Sequence, residues 1–158
     1  MKLRGTNFEK LDDWDDWYVS GDGSLDSEAA EKLALTLQTE SLRKGLYCVA
    51  GVVEDGYGVY LVPQKGIKYV IGSFDVGSHG QDSPESAYDE VREADAKNPL
   101  IPYFADEAGI KAKFSKPVSE DLIALLLDSM SSVEAMMEDD DDVEGYIRKN
   151  NGIHLWWD

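Results

Sequence analysis

Outside its carboxylates, this sequence offers three side chains that could serve as a nucleophile or a base in the neutral range: Cys48, His79 and His154. Cys48 stands mid-run among apolar residues at 46–53, a setting in which a thiol packs rather than reacts. His79 lies in a Gly/Ser stretch near Asp75 and Asp82, and these three could be drawn as an acid–base set. In so acidic a chain such proximity arises by chance. His154 stands four residues before Asp158. No Gly-x-Ser-x-Gly, Walker loop, His-Glu-x-x-His or Cys-x-x-Cys occurs. Carboxylates are abundant enough for a glycosidase-like pair, yet abundance carries no geometry. With no nucleophile, base and orienter in one pattern, the sequence points to no catalytic residue and no cofactor. An enzyme ranks third among the readings.

Two loops can be tested as calcium sites. Asp140-Asp141-Asp142-Val143-Glu144-Gly145-Tyr146-Ile147 puts oxygen ligands at loop positions 1, 3 and 5, Gly at 6 and an apolar residue at 8. Position 12, where a bidentate carboxylate is needed, is Asn151. The other loop has Asp22, Gly23 and Leu25 at positions 5, 6 and 8, but Tyr18 at position 1 and Ala29 at position 12. Each lacks ligands the ion requires, so no metal site is expected.

Aromatic residues set among acids are the better lead. Trp14, Trp17 and Tyr18 interleave with Asp12, Asp13, Asp15 and Asp16, and Trp156 and Trp157 stand beside Asp158. Tryptophan and tyrosine anchor protein interfaces, and surrounding acids pair with Lys or Arg of a partner. Adjacent tryptophans cannot both face inward on one helix or strand, so one ring of each pair is expected outside.

The elements that must position these residues read as follows. Thr6 and Glu9 have capping-box spacing, and Phe8, Leu11, Trp14 and Tyr18 follow at helical spacing, which predicts a short amphipathic helix. Ser20 to Ser24 has loop chemistry. A helix is expected from Asp26 or Ser27 to about Lys44, with Ala30, Leu33, Ala34 and Leu37 inward and Gly45 after its end. Short Val-, Ile- and Tyr-rich runs at 46–53, 58–62 and 67–74, separated by Gly-containing turns, predict a three-stranded antiparallel meander. Ser83 and Pro84 open a helix that stops before Pro99. Runs at 100–105 and 110–114 predict a hairpin. Ser119 caps the strongest helix, with Leu122, Leu126, Met130, Val133 and Met137 on its apolar stripe. The acid run at 138–142 sits at its negative dipole end, so residues 138–145 are expected to be mobile. This order predicts a single α+β domain, an antiparallel sheet (meander plus hairpin) covered by three or four helices.

Composition bounds the rest. The chain has 158 residues, with 15 Lys+Arg against 32 Asp+Glu for a net charge of −17, and 42% apolar residues. That length suits one domain with a core of its own. The charge is local: residues 1–31 carry nine acids and three bases, and residues 120–144 carry ten acids and no base. With no basic patch to release counterions from phosphates, direct nucleic-acid binding is disfavoured. The longest apolar run, 122–127, is far short of a bilayer span, and the basic opening has no apolar stretch behind it, so neither membrane insertion nor a signal peptide is expected. A single cysteine rules out an internal disulfide framework and fits a reducing, cytoplasmic setting.

Residues 103–115, Tyr-Phe-Ala-Asp-Glu-Ala-Gly-Ile-Lys-Ala-Lys-Phe-Ser, followed by an apolar helix and an acid run, resemble the C-terminal part of bacterial immunity proteins that accompany polymorphic or contact-dependent toxins. The resemblance covers about a third of the chain. Those proteins carry a Phe-Asp-x-Glu-Ala-Gly-x-Phe turn; here Ala105 interrupts the Phe-Asp pair and Ile110 replaces the second Phe. It implies a small acidic protein that binds and blocks a toxin, with no catalytic residues. The partner surface expected from the residues comprises Asp12, Asp13, Trp14, Asp15, Asp16 and Trp17 together with Glu138, Asp139, Asp140, Asp141, Asp142, Glu144, Trp156 and Trp157. Its partner would be basic: a nuclease-type toxin, or a DNA-binding protein deceived by a nucleic-acid mimic. The bland alternative is a housekeeping or stress-related domain whose acidity serves solubility.

Overall fold

A computed structural model describes residues 1–79, 83–130 and 142–157. The chain is α+β and divides into two compact units, Met1–Lys65 and Gly66–Asp158.

The first unit is built from β1 (Lys2–Leu3), β2 (Thr6–Asn7), β3 (Glu9–Lys10), β4 (Tyr18–Leu25), α1 (Ser27–Leu42), β5 (Leu46–Val53) and β6 (Gly56–Pro63). β1 pairs with β2, and a separate antiparallel sheet runs in the order β3-β4-β6-β5. The Asp26 carboxylate caps α1 by accepting the Ala29 N–H at 2.8 Å. Ala30, Ala34 and Leu37, three or four apart, are buried on the face that packs against β5 and β6. Gln38 is buried too. Its Oε1 accepts the Cys48 N–H at 2.8 Å and its Nε2 donates to the Cys48 carbonyl at 3.2 Å, tying helix to strand through one residue's backbone.

Two expectations fail here. Phe8 to Tyr18 forms no helix; it is β3, a loop and the start of β4. The helical spacing of its aromatics is coincidental: a helix would stack the like charges of Asp12, Asp13, Asp15 and Asp16 at i,i+3 and i,i+4, whereas the hairpin lets Trp17 pack against Tyr60 of β6. The expected loop at Ser20–Ser24 lies within β4, whose register breaks between Ser20 and Leu25. Gly23 takes φ +79° there, and a Cβ on Gly56 across the strands would collide with the Gly23 carbonyl oxygen.

The second unit contains α2 (Ile67–Ser73), α3 (Pro84–Lys97), β7 (Leu100–Ala105), β8 (Gly109–Phe114), α4 (Glu120–Met130), α5 (Val143–Asn150) and β9 (Gly152–Trp156). The run at 67–74, expected as the meander's third strand, is helical, with Ile67, Val70 and Ile71 buried on one side. A short apolar run has no period that separates a strand from a helix face. α3 begins as expected, with Ser83 Oγ accepting the Ser86 N–H and Pro84 in its first turn. The 100–114 hairpin forms, and β9 pairs with β8 from Gly109↔Trp156 to Lys113↔Gly152, giving an antiparallel order β7-β8-β9. α5 and β9 went unread in the sequence. Five helices, rather than three or four, are present among the described residues. Val133, Met137 and the acid run through Asp141 lie outside those residues.

Replacing Gln38 by Leu leaves the Cys48 N–H buried without its acceptor, so unfolding free energy should fall by about 1–3 kcal/mol. Urea titration should show a lower midpoint at unchanged slope.

Candidate functional site

The Asp-Trp segment forms the tip of the β3–β4 hairpin. Glu9 pairs with Val19 and Lys10 with Tyr18. The Leu11 N–H donates to the Trp17 carbonyl at 3.0 Å, closing the loop one residue beyond the ladder. Inside it, the Trp14 N–H reaches the Leu11 carbonyl and the Trp17 N–H reaches the Trp14 carbonyl, both at 3.5 Å, and Asp16 takes φ +60°. Two successive tight turns thus set Trp14 and Trp17 three residues apart on one side. Trp17 is 3% exposed, and its ring meets Tyr60 of β6 edge-on at 6.0 Å between centroids. The Tyr60 hydroxyl donates to the Val52 carbonyl at 2.6 Å, and burial raises its pKa. Trp14 stacks on Trp17 at 4.8 Å with a 41° tilt and remains 44% exposed.

Asp12, Asp13, Asp15 and Asp16, in the same loop as that ring, are all exposed. Among the described residues none of the four is in an ion pair. An outer indole supported by a buried one, in a loop whose four carboxylates form no ion pair among the described residues, is an arrangement that can take a cation on its aromatic face and further cations on the acids of its loop.

The second acidic segment behaves differently. Asp142 caps α5 by accepting the Gly145 N–H at 2.8 Å. Glu144 accepts from Arg148 at 2.7 Å, and the same guanidinium grips both oxygens of Glu120 at 2.7 Å each. This bidentate pair holds the Glu120 carboxyl below its ordinary pKa and ties the start of α4 to α5. Asp142 and Glu144 are therefore engaged within the chain. Glu138, Asp139, Asp140 and Asp141 lie outside the described residues. The calcium-like spacing at 140–147 runs into α5, and among the described residues no three His, Cys, Asp or Glu side chains are grouped to hold a metal ion.

The other aromatic pair is mostly internal. Trp157 is buried, and its N–H donates to the Ala108 carbonyl at 2.7 Å; Trp156 is half-buried on β9. The turn at 106–109, centre of the stretch with the immunity-protein resemblance, is a structural hub. Asp106 Oδ1 accepts the Ala108 and Gly109 N–H groups, while the Glu107 carbonyl accepts those of Gly77 and His79. His79 itself is exposed. Cys48 is buried, and burial pushes its thiol up to about 12, which keeps it from acting as a thiolate. His154 is 4% exposed in register with Lys111, and burial plus that lysine lowers its pKa to about 4.

Comparison with protein-family models, curated proteins and solved structures finds no match for this chain.

Trp17 and Trp14 should separate support from display. Trp17→Ala should cost about 3–5 kcal/mol in urea unfolding, as for a large buried ring. Trp14→Ala should cost less, about 1 kcal/mol, as for a half-exposed ring in one aromatic stack. His154 gives a second test, through pH. Its folded pKa lies below the unfolded value of about 6.5, so the unfolded chain binds the extra proton first as pH falls. Its contribution should reduce stability progressively from about pH 6.5 to about pH 4, by up to about 3 kcal/mol. A folded His154→Phe variant should lose that part of the pH dependence.

Proposed function

We propose that this chain is a non-enzymatic protein-binding module that masks a basic surface of a partner, with the Trp14 loop as its anchor. The observation that carries this reading is the exposed Trp14 ring, stacked on a buried Trp17 in a loop whose four aspartates form no ion pair among the described residues. Free carboxylates attract a cationic surface at long range and speed encounter, toward ~10⁸–10⁹ M⁻¹s⁻¹ at low salt. A pre-set aromatic ring then gives short-range affinity at little entropic cost, because it is already held. Lys or Arg side chains are the complementary chemistry.

Within this class, an immunity protein that covers the substrate groove of a nuclease-type toxin in the cytoplasm fits best. A nuclease groove is basic because it binds phosphates, and the resemblance of residues 103–115 points the same way. The hub-like hydrogen bonding of that turn favours the Trp14 loop, rather than the turn, as the docking element.

The test is co-expression with the product of the adjacent reading frame, followed by capture at roughly 50 mM salt and a wash at roughly 500 mM, which contracts the Debye length about threefold. A complex weakened by the wash is expected. Trp14→Ala should weaken it by about 2 kcal/mol or more, roughly thirtyfold. Changing Asp12, Asp13, Asp15 and Asp16 together to Asn should chiefly slow association. Absence of a complex, or one indifferent to both changes, would overturn the proposal.

A further inference from the structure

Four asparagines occur in the chain, Asn7, Asn98, Asn150 and Asn151, and Asn151 alone precedes a glycine. An asparagine loses its amide when the backbone nitrogen of the next residue attacks Cγ. The new N–Cγ bond forms, the Cγ–Nδ2 bond breaks, and ammonia leaves carrying the proton that the attacking nitrogen gave up. Water then opens the succinimide ring at either carbonyl, yielding aspartate or isoaspartate, with no change of oxidation state. Glycine leaves the attacking nitrogen unshielded. Asn98 precedes Pro99, whose nitrogen has no proton to lose, while Asn7 and Asn150 precede residues with side chains.

In the folded chain the Asn151 amide is fully occupied. Asn151 follows α5 in the left-handed conformation, at φ 49° and ψ 45°. Its Oδ1 accepts the Val118 N–H at 2.9 Å, and its Nδ2 donates to the carbonyls of Lys116 at 3.1 Å and Phe114 at 3.3 Å. These partners lie at the end of β8 and in the connector leading to α4. Asn98, itself buried, grips the same connector. Its Nδ2 donates to the Lys116 carbonyl at 2.9 Å, and its Oδ1 accepts from the Lys116 N–H at 3.1 Å and the Ser115 hydroxyl at 3.0 Å. Three hydrogen bonds therefore hold Asn151 Cγ toward the connector and oppose the swing over the Gly152 nitrogen.

We propose that Asn151-Gly152 is a self-modification site, closed while the connector is in place and converted to aspartate or isoaspartate when the connector opens. The conversion is one-way in structural effect. The product carboxylate has no N–H for the Lys116 and Phe114 carbonyls and faces them with like polarity. Isoaspartate also adds a backbone carbon next to Gly152, where even a Cβ would collide with the Ala112 carbonyl oxygen. A transient opening thus becomes a lasting release of the corner between α5 and β9.

The test follows amide loss in the full chain at physiological temperature and mildly alkaline pH, by peptide mapping with isoaspartyl-methyltransferase labelling. Folded wild type, wild type in denaturing urea, and folded Asn98→Ala are compared. Modification should fall on Asn151 and run at least about tenfold slower in the folded wild type than in urea, because local opening limits it. Asn98→Ala, which frees the connector and leaves Asn151-Gly152 intact, should move the rate toward the urea value. If that variant does not fold, Ser115→Ala, which removes one of the same bonds, takes its place. A folded wild type modified at the urea rate, first modification at another asparagine, or connector variants no faster than wild type would each overturn the proposal.

Discussion

Thirty-two carboxylates against fifteen cations repel one another wherever they gather, and every element of this chain has formed under that constraint. The fold meets it partly by giving acids backbone work. Asp26 and Asp142 cap helices, Asp106 closes the β7–β8 turn, and Asp95 accepts the Leu100 N–H at the entry to β7. A carboxylate that accepts a backbone N–H satisfies a donor the helix or turn would otherwise leave unpaired. Arg148 takes two more, Glu120 and Glu144, and joins two helices by doing so.

The tip of the β3–β4 hairpin stands apart from this economy. Among the described residues, Asp12, Asp13, Asp15 and Asp16 make no ion pair and cap nothing, and they crowd into five residues. Their mutual repulsion is a cost without an internal return, borne by a loop whose geometry is nonetheless fixed by Trp17 and Tyr60. Among the described residues, this loop carries its four acids without using them to hold the fold, unlike the capping and clamped acids elsewhere.

Much of this was legible in the residues. α1, α3 and α4 announced themselves through Asp26, Ser83 with Pro84, and Ser119, because caps are local and their chemistry is written in adjacent positions. The β5–β6 pair follows from Val- and Tyr-rich runs around a glycine turn, and the β7–β8 pair from two short runs around Asp106-Glu107-Ala108-Gly109. What failed was decided at a distance. Residues 8–18 mimic a helix stripe, yet it is Tyr60, more than forty positions away, that draws Trp17 inward and makes the segment a hairpin. The aromatic and acidic residues of the segment stand out in the sequence, while the hairpin that carries them does not. Arg148 clamping Glu120 left only the Glu144–Arg148 spacing as a trace, and the double grip of Asn98 and Asn151 on residues 114–118 left none, since backbone acceptors have no residue type.

The stacking of Trp14 on Trp17 has a spectroscopic side. Two indoles 4.8 Å apart and tilted by 41° share their excited states, so their ultraviolet circular dichroism depends on the mutual orientation of the rings as well as on the backbone. The inner ring is fixed by the core and the outer one is free to be touched. A molecule that settled on Trp14 would alter the coupling, so the hairpin carries an optical signal of its own without a dye or a label.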